Sequence, residues 1–431
     1  MTDKIKTLQQ SEEKERAVIV GLSCRIFSEE ENSSEESLEE LAALVDTAGG
    51  RVVGTVLQNR GEPDVHSYIG DGKAREIAEL CKNNDAELVV FDNELSPSQQ
   101  RSLEEIMECR VLDRSGLILD IFAGRARTAE GKLQVELAQY KYLLPRLTGM
   151  WGHLVRQTAS GGKSPIGTRG PGETQLETDR RHVRIHMQKL EKQLEDVRRT
   201  RELQRKRRRK NDIPVVAIVG YTNAGKSTLL NRLTGSSIEA NNRLFDTLDT
   251  STRYLKISDG CEVVISDTVG FIRRLPTHLI EAFKATLEEL EYADLILHVI
   301  DVSNPDWIAQ AKVTEKLIDE LATENVPRLE VFNKADVCPI EELVGKGLLI
   351  SARTGEGIDE LLSAIEREVG KTVKKVHLSL PFRRGDLVDL LRREAHIEKI
   401  DYTENGIEID AVVKESIYGK VKDYAGEDGE L

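Results

Sequence analysis

Along the first hundred or so residues, short apolar runs alternate with stretches in which apolar positions recur every three or four residues. The runs at 17–22, 51–57 and 87–91 are rich in Val, Ile and Leu and have strand length, whereas 72–81 and 98–109 carry a helical period. That rhythm predicts a small α/β domain with a parallel sheet over residues 1–115. The acidic, serine-rich stretch 28–40 reads as a solvated loop rather than a site.

The period then changes. Leu133, Leu137, Tyr140, Leu144 and Leu147 are spaced 4, 3, 4, 3, and so are Val183, Met187, Leu190, Leu194 and Val197. Each set forms one seam on one side of a helix, as two paired helices require. Residues 116–210 therefore read as an antiparallel helical hairpin, with Pro145 ending the first helix early. The second helix runs from about 175 towards 210, an arm of about 50 Å at ~1.5 Å per residue. Between the helices, 160–174 holds five glycines, two prolines, Lys163 and Arg169 without any apolar period. A loop this long has two readings: a tip without fixed structure, or a basic, glycine-rich tip that lays its backbone against phosphates or RNA.

From 211 to 370 the pattern is a series of buried strands, at 215–219, 262–266, 295–300, 329–332 and 348–350, with helices between them. This predicts a doubly wound, mostly parallel α/β sheet. Residues 371–431 show strand-like runs at 375–380 and 407–413 around a helix near 386–394, a second small α/β domain whose end, 426–431, looks frayed.

Composition narrows the class. A chain of 431 residues is too long for one core, and 39% apolar with 32% charged residues describes a globular protein. No apolar run approaches the ~20 residues of a membrane span, and residues 1–10 lack the apolar core of a signal peptide. The five cysteines are scattered without metal-ligand spacing, so they read as reduced thiols. The expected location is the cytoplasm, with a peripheral membrane association left open, and the free protein is expected to be a monomer. Charge is uneven: 12 Lys/Arg against 25 Asp/Glu over 1–113, 23 against 10 over 114–210, and 26 against 40 over 211–431. A basic middle between acidic ends points to a polyanion met at one place. Residues 198–210 are the densest part of it and read as part of that polyanion contact, with a solvated helix end and linker as the plain alternative.

The chemistry begins after the run 215–219. Gly220, Tyr221, Thr222, Asn223, Ala224, Gly225, Lys226 and Ser227 fit G-x-x-x-x-G-K-[ST], and Thr228 continues into a helix. Strand, loop and helix give the pattern its physical sense: converging N–H groups and the positive helix end take phosphate, Lys226 reaches the β/γ-phosphates and the Ser227 hydroxyl ligates Mg²⁺. Forty residues after Ser227 a strand ends in Asp267, Thr268, Val269 and Gly270. A carboxylate there suits Mg²⁺ held through water, and Gly270 can offer its N–H to a γ-phosphate. The strand at 329–332 leads into Asn333, Lys334, Ala335 and Asp336, which resembles the guanine-reading element of Ras-like GTPases. An Asp there accepts from both the ring N–H and the exocyclic amine, a donor pair that adenine lacks. Ser351, Ala352 and Arg353 resemble the element that closes over the base, with Arg where Lys is usual. Each element alone reads as a turn after a strand. Four in this order read as a GTPase.

Between the loop at 220–227 and Asp267 lies a stretch, 244–253, expected to be a switch loop that supplies a second hydroxyl to Mg²⁺. Phe245, Asp246, Thr247, Leu248 and Asp249 are its nucleotide-side candidates, with Thr247 the metal ligand and Thr250 the runner-up. Phe271 stands where the Ras-like pattern has the glutamine that orients the attacking water. A phenyl ring cannot do that, so hydrolysis by the isolated chain is expected to be slow until a partner or ion completes the site. Lys226 and Gly270 are the catalytic candidates, joined by Asn223, whose position resembles the K⁺ ligand of cation-activated GTPases; its other reading is a capping residue of the loop.

These residues together are similar to the HflX-type GTPases. The most specific match is 167–181, GTRGPGETQLETDRR, followed by 133–147 and 113–127. Two departures are visible: 161–167 is longer than the family's double-glycine step, and Thr-Ser-Thr at 250–252 replaces its usual Pro-Thr-Thr. The resemblance covers nearly the whole chain. It implies GTP and GDP as ligands, Mg²⁺, binding to the rRNA of the large ribosomal subunit, hydrolysis stimulated there, and splitting or rescue of stalled ribosomes under stress. Lys163, Arg169, Arg180, Arg181, Arg205 and Arg207 are the RNA-contact candidates. Two other readings stand: a GTP-gated RNA- or ribosome-binding adaptor with negligible turnover, and an ATP-using RNA remodelling factor.

Overall fold

The computed structural model describes residues 14–28, 32–147, 171–209, 213–235, 244–245, 251–258, 261–274, 290–322, 326–337, 347–403 and 406–425. The chain falls into two compact units, Met1–Arg125 with Val135–Gln188, and Ala126–Gln134 with Lys189–Leu431.

In the first unit, strands β1 (Arg16–Cys24), β2 (Arg51–Arg60), β3 (Leu88–Phe91) and β4 (Arg110–Asp113) form a parallel sheet in the order β2-β1-β3-β4. Helices α1 (Glu35–Thr47), α2 (Asp71–Asn83), α3 (Pro97–Met107) and α4 (Arg114–Arg125) accompany it. The stretch 28–40 is a correction, because α1 begins inside it. Ser34 caps the helix: its hydroxyl accepts from the Ser37 N–H at 3.2 Å, while Ser37 Oγ accepts from the Ser34 N–H at 2.9 Å. The serines that read as loop residues are the cap, and Ser33 and Ser37 also donate to buried Asp92 at 2.7 and 2.9 Å. Asp92 and Asp113 sit at the carboxyl ends of β3 and β4, and both are fully paired inside. Arg114 reaches Asp92 at 2.8 Å; Tyr142 and Arg146 reach Asp113 at 2.8 and 2.9 Å.

The hairpin is built from α5 (Ala129–Leu143) and α6 (Pro171–Arg209). Helix α5 ends two residues before Pro145, as a missing N–H requires. Helix α6 starts at Pro171, ahead of the expected 175, so 171–174 is its first turn rather than the end of the tip loop; proline is tolerated at that position because its nitrogen has no helical acceptor. Along α6, Val183, Met187, Leu190, Leu194 and Val197 are less exposed than their flanks, with Leu190 buried. The Tyr140 ring meets His186 edge-on at 5.0 Å, His186 pairs with Glu136 at 2.9 Å, and Arg201 pairs with Glu130 at 2.7 Å. Residues 148–170, including Lys163 and Arg169, lie outside the described residues.

In the second unit, β5 (Val215–Gly220), β6 (Ser251–Ser258), β7 (Cys261–Asp267), β8 (Leu295–Asp301), β9 (Arg328–Asn333) and β10 (Leu348–Leu349) form one sheet in the order β10-β9-β8-β5-β7-β6. Only β6 is antiparallel, so the sheet is mostly parallel and doubly wound. Val216 and Ile218 face a core with residues of α7 (Lys226–Thr234) and α9 (Ile358–Thr372). Ala217 and Val219 face the opposite core, with α8 (Trp307–Leu321). Residues 251–253, expected in the switch loop, belong to β6; their alternation with Tyr254, Leu255 and Ile257 suits a half-exposed edge strand. The chain continues with β11 (Val373–Leu380), α10 (Gly385–Glu394), β12 (His396–Thr403), β13 (Gly406–Lys414) and α11 (Glu415–Val421), an antiparallel sheet ordered β11-β13-β12. Among the described residues, no helix is long and apolar enough to cross a membrane, and nothing bears out a peripheral membrane association.

Candidate nucleotide site

All four motifs fall at carboxyl ends of strands in one sheet. Strand β5 ends at Gly220, β7 at Asp267, β9 at Asn333, and Ser351 follows β10 by two residues. Chain order steps from β5 to β7 on one side and then to β8 on the other, so the loop after β5 opens at the topological switch point, where open α/β sheets hold ligands.

Residues 220–227 wrap into the start of α7. Gly225 has φ +93°, and a Cβ there would stand 2.2 Å from Asn333 Nδ2. Only glycine fits this approach. The Lys226 ammonium lies buried and donates to the Gly220 and Tyr221 carbonyls at 3.1 and 2.8 Å, across its own loop. Burial lowers its pKa to about 8, against a smaller opposing pull from Asp267. Ser227 Oγ donates to Asp267 Oδ2 at 2.8 Å. A hydroxyl and a carboxylate at the mouth of a phosphate loop form a hard oxygen donor set, the kind that fits Mg²⁺. Ala224 is buried, Thr228 is half-buried on α7, and Asn223 is exposed with φ 62°. Its side chain is hydrogen-bonded to none of the described residues.

After β7 the chain folds back along the same loop. Thr268 Oγ1 donates to the Ile218 carbonyl at 2.8 Å, and Val269 is buried. A Cβ on Gly270 would stand 2.9 Å from Lys226 Nζ and 3.0 Å from Thr222, so a side chain at 270 would crowd the phosphate loop. The Thr222 N–H donates to the Phe271 carbonyl at 2.7 Å, and the Phe271 N–H donates to the Gly220 carbonyl at 3.2 Å. The Phe271 ring points elsewhere: it is 1% exposed, packed with Ala217, Val219, Leu290, Ile296, Leu317 and Ile318.

The base-reading elements are tied to the phosphate loop by one residue. Asn333 Nδ2 donates to the Ala224 carbonyl at 2.8 Å, while its Oδ1 accepts from the Ala352 N–H at 3.0 Å. Lys334, at φ 65°, pairs with Asp301 at 2.6 Å, and Ala335 is buried. Asp336 is held by the Ser351 hydroxyl and by Arg353, which keep its carboxyl below the usual carboxylate range. Sequence reasoning missed Arg232 of α7, whose Nε donates to the Ala352 carbonyl at 3.2 Å and whose Nη2 donates to the Arg353 carbonyl. It also missed Tyr221 as a side chain: its hydroxyl accepts from the Arg273 N–H at 2.8 Å. Neither belongs to a recurring motif, and both partners are remote in sequence.

Of the switch candidates, only Phe245 is described: it is 2% exposed, with φ 55°. Asp246, Thr247, Leu248, Asp249 and Thr250 lie outside the described residues. Arg180 is half-buried and Arg181 exposed on α6, the helix that also carries Arg205 and Arg207.

Comparison with known proteins gives three family matches in succession. Residues 35–123 match the family described as GTP-binding GTPase N-terminal, 125–208 the GTP-binding GTPase Middle Region, and 215–334 the 50S ribosome-binding GTPase. The chain is 47% identical over 416 residues to a GTPase HflX of Caldanaerobacter subterraneus subsp. tengcongensis, covering 96% of this chain and 94% of that protein. It is 44% identical over 400 residues to GTPase HflX of Escherichia coli, covering 91% and 92%. Among solved structures, a GDP complex of the protein SsGBP aligns with a TM-score of 0.46 at 25% identity, covering 82% of this chain and 98% of that one.

Proposed function

The chain belongs to the HflX family of GTPases, and from that premise we propose that it works its GTP cycle on the large ribosomal subunit, where it splits or rescues stalled ribosomes. Two observations support the reading: the family matched by 215–334 is described as 50S ribosome-binding, and 114–210 carries 23 Lys/Arg against 10 Asp/Glu. The arm and its tip meet rRNA, with Lys163, Arg169, Arg180, Arg181, Arg205 and Arg207 as contacts. The acidic GTPase domain stays clear of bulk RNA. In this assignment the working parts are 1–115, the arm 116–210, the GTPase domain 211–370 and the small domain 371–431.

At the nucleotide, residues 220–228 cradle the phosphates and Lys226 leaves its loop carbonyls for the β/γ-phosphates. Ser227, Asp267 and, from the switch, Thr247 are the residues that would hold Mg²⁺. The ion, when bound, neutralises charge on the transferring phosphoryl group. Gly270 offers its N–H to the γ-phosphate, and Asp336 reads guanine under Ser351, Ala352 and Arg353. Asn223 would hold K⁺, which would supply positive charge beside the phosphates. Turnover in potassium is expected to exceed turnover in sodium at equal ionic strength, and equal rates of phosphate release would remove that assignment.

Lys226 makes nucleotide binding pH-dependent. Its ordinary pKa of 10.5 is lowered to about 8 in the free protein, and a bound phosphate should raise it again. GDP binding is therefore expected to take up a proton between about pH 8 and 10, and affinity should fall as pH rises through that window. Calorimetry in buffers of different ionisation enthalpy measures the uptake, and the Lys226→Met variant should lack it. An uptake that persists in the variant assigns the proton to another group.

Sedimentation with ribosomal subunits in GTP, GDP and a non-hydrolysable analogue tests the ribosomal reading. Co-migration with the large subunit in the GTP-like states is expected, falling steeply with salt, together with faster phosphate release. Binding that stays flat between low and physiological salt would remove the basic arm as the contact. Negligible phosphate release even on ribosomes returns the chain to the adaptor reading.

A further inference from the structure

Cys81 lies in the last turn of α2, and Cys109 directly precedes the edge strand β4. The packing of α2 beside α3 and the left-handed residue Glu108 (φ 55°) bring these two ends together. The neighbouring side chains pair as well, Lys82 with Glu108 at 3.0 Å, and the two thiols lie close enough to shift each other's titration. Both cysteines line one pocket of about 420 Å³, together with Lys82, Asp85, Glu87 and Glu108. Neither thiol serves the nucleotide site or the arm. We propose that Cys81 and Cys109 are a reversible oxidation site, a dithiol that a small neutral peroxide closes to a disulfide.

The two sulfurs have unlike roles. The nearby Cys109 lowers the Cys81 pKa, whereas the nearby Cys81 and burial raise that of Cys109. Cys24 and Cys261 are both raised, chiefly by burial. Cys81 is thus the thiol with the thiolate character that attack on a peroxide requires. Its thiolate attacks one peroxide oxygen; the O–O bond breaks, hydroxide leaves, and Cys81 becomes a sulfenic acid. The Cys109 sulfur then attacks the sulfenic sulfur, displaces hydroxide, and its own proton completes the second water. Two thiols and one hydrogen peroxide give one disulfide and two waters. The lining selects the oxidant: Asp85, Glu87 and Glu108 against Lys82 leave the rim acidic, which repels anionic disulfides such as oxidised glutathione. Closure would staple the end of α2 to the start of β4.

The test treats the native full chain with hydrogen peroxide, blocks remaining thiols, and maps disulfides by peptide mass spectrometry. A Cys81–Cys109 peptide pair is expected, forming at least about tenfold faster than oxidation of Cys24 or Cys261 and reversing with a dithiol reductant. Oxidised glutathione at the same concentration should give far less. In the Cys109→Ser variant, Cys81 should persist as a sulfenic acid that a dimedone probe captures, with nucleotide binding unchanged. Both thiols remaining alkylatable after peroxide, or Cys81 oxidising past the sulfenic acid in the wild type with Cys109 still free, would overturn the proposal. Because the wild-type map needs no variant, a folding defect in Cys109→Ser leaves the test intact.

Discussion

Replacing Asp336 by asparagine is expected to weaken GDP binding about a thousandfold, on the order of 4 kcal/mol, while improving binding of xanthosine diphosphate. Guanine offers a ring N–H and an amine side by side, and one carboxylate can accept from both. Hydrogen bonds to a charged group contribute about 1.5–3 kcal/mol each, so losing the pair accounts for the size of the effect. An asparagine would turn either an N–H against the guanine amine or one acceptor towards two donors. Xanthine carries a carbonyl where guanine has the amine, and an amide meets it with a matched donor and acceptor. In the free protein the carboxylate is held charged by the Ser351 hydroxyl and by Arg353. Arg353 is 77% exposed, so displacing it costs little, because an exposed ion pair is worth less than about 1 kcal/mol. Fluorescence titration with GDP, xanthosine diphosphate and ADP measures the outcome. Unchanged GDP affinity in the variant would remove Asp336 from base recognition.

The sequence was most legible where a strand is buried on both faces. β5, β7 and β8 carry near-continuous apolar runs because helices cover both sides of their sheet, and site residues hang from the ends of β5 and β7. β6 and β12 were missed for the opposite reason. They alternate charged or polar positions with apolar ones, and Tyr254 and Tyr402 stand 67% and 62% exposed. Helix α1 was missed because its capping box is closed by Ser37 rather than by glutamate or glutamine, and its serines read as loop. In the site, the motifs named the residues but not the ties among them. Asn333 reaches the phosphate loop across 109 positions of sequence, and Arg232 reaches the base-closing loop across 120. Such contacts exist only once the sheet has brought the strand ends together.

The same limit applied to Phe271, and it leads to the second large effect. The sequence marks it as a missing catalytic glutamine, which invites restoring one. In the Phe271→Gln variant, hydrolysis without ribosomes is not expected to rise, and the domain is expected to lose about 3–5 kcal/mol of stability. The ring is 1% exposed among Ala217, Val219, Leu290, Ile296, Leu317 and Ile318, on the α8 face of the sheet. A glutamine in that position leaves part of the space unfilled and buries an amide among apolar neighbours. It would not reach the phosphates, since the main chain at 271 is fixed by hydrogen bonds to Gly220 and Thr222 at 3.2 and 2.7 Å. Those bonds also make Phe271 a brace of the phosphate loop, so nucleotide affinity should fall with stability. Urea unfolding, GDP titration and phosphate release on the same preparation separate the three. A variant as stable as the wild type that hydrolyses GTP faster alone would mean that the side chain at 271 swings to the nucleotide. If the core holds it, whatever orients the attacking water must come from another part of the chain, from a bound ion or from the ribosome.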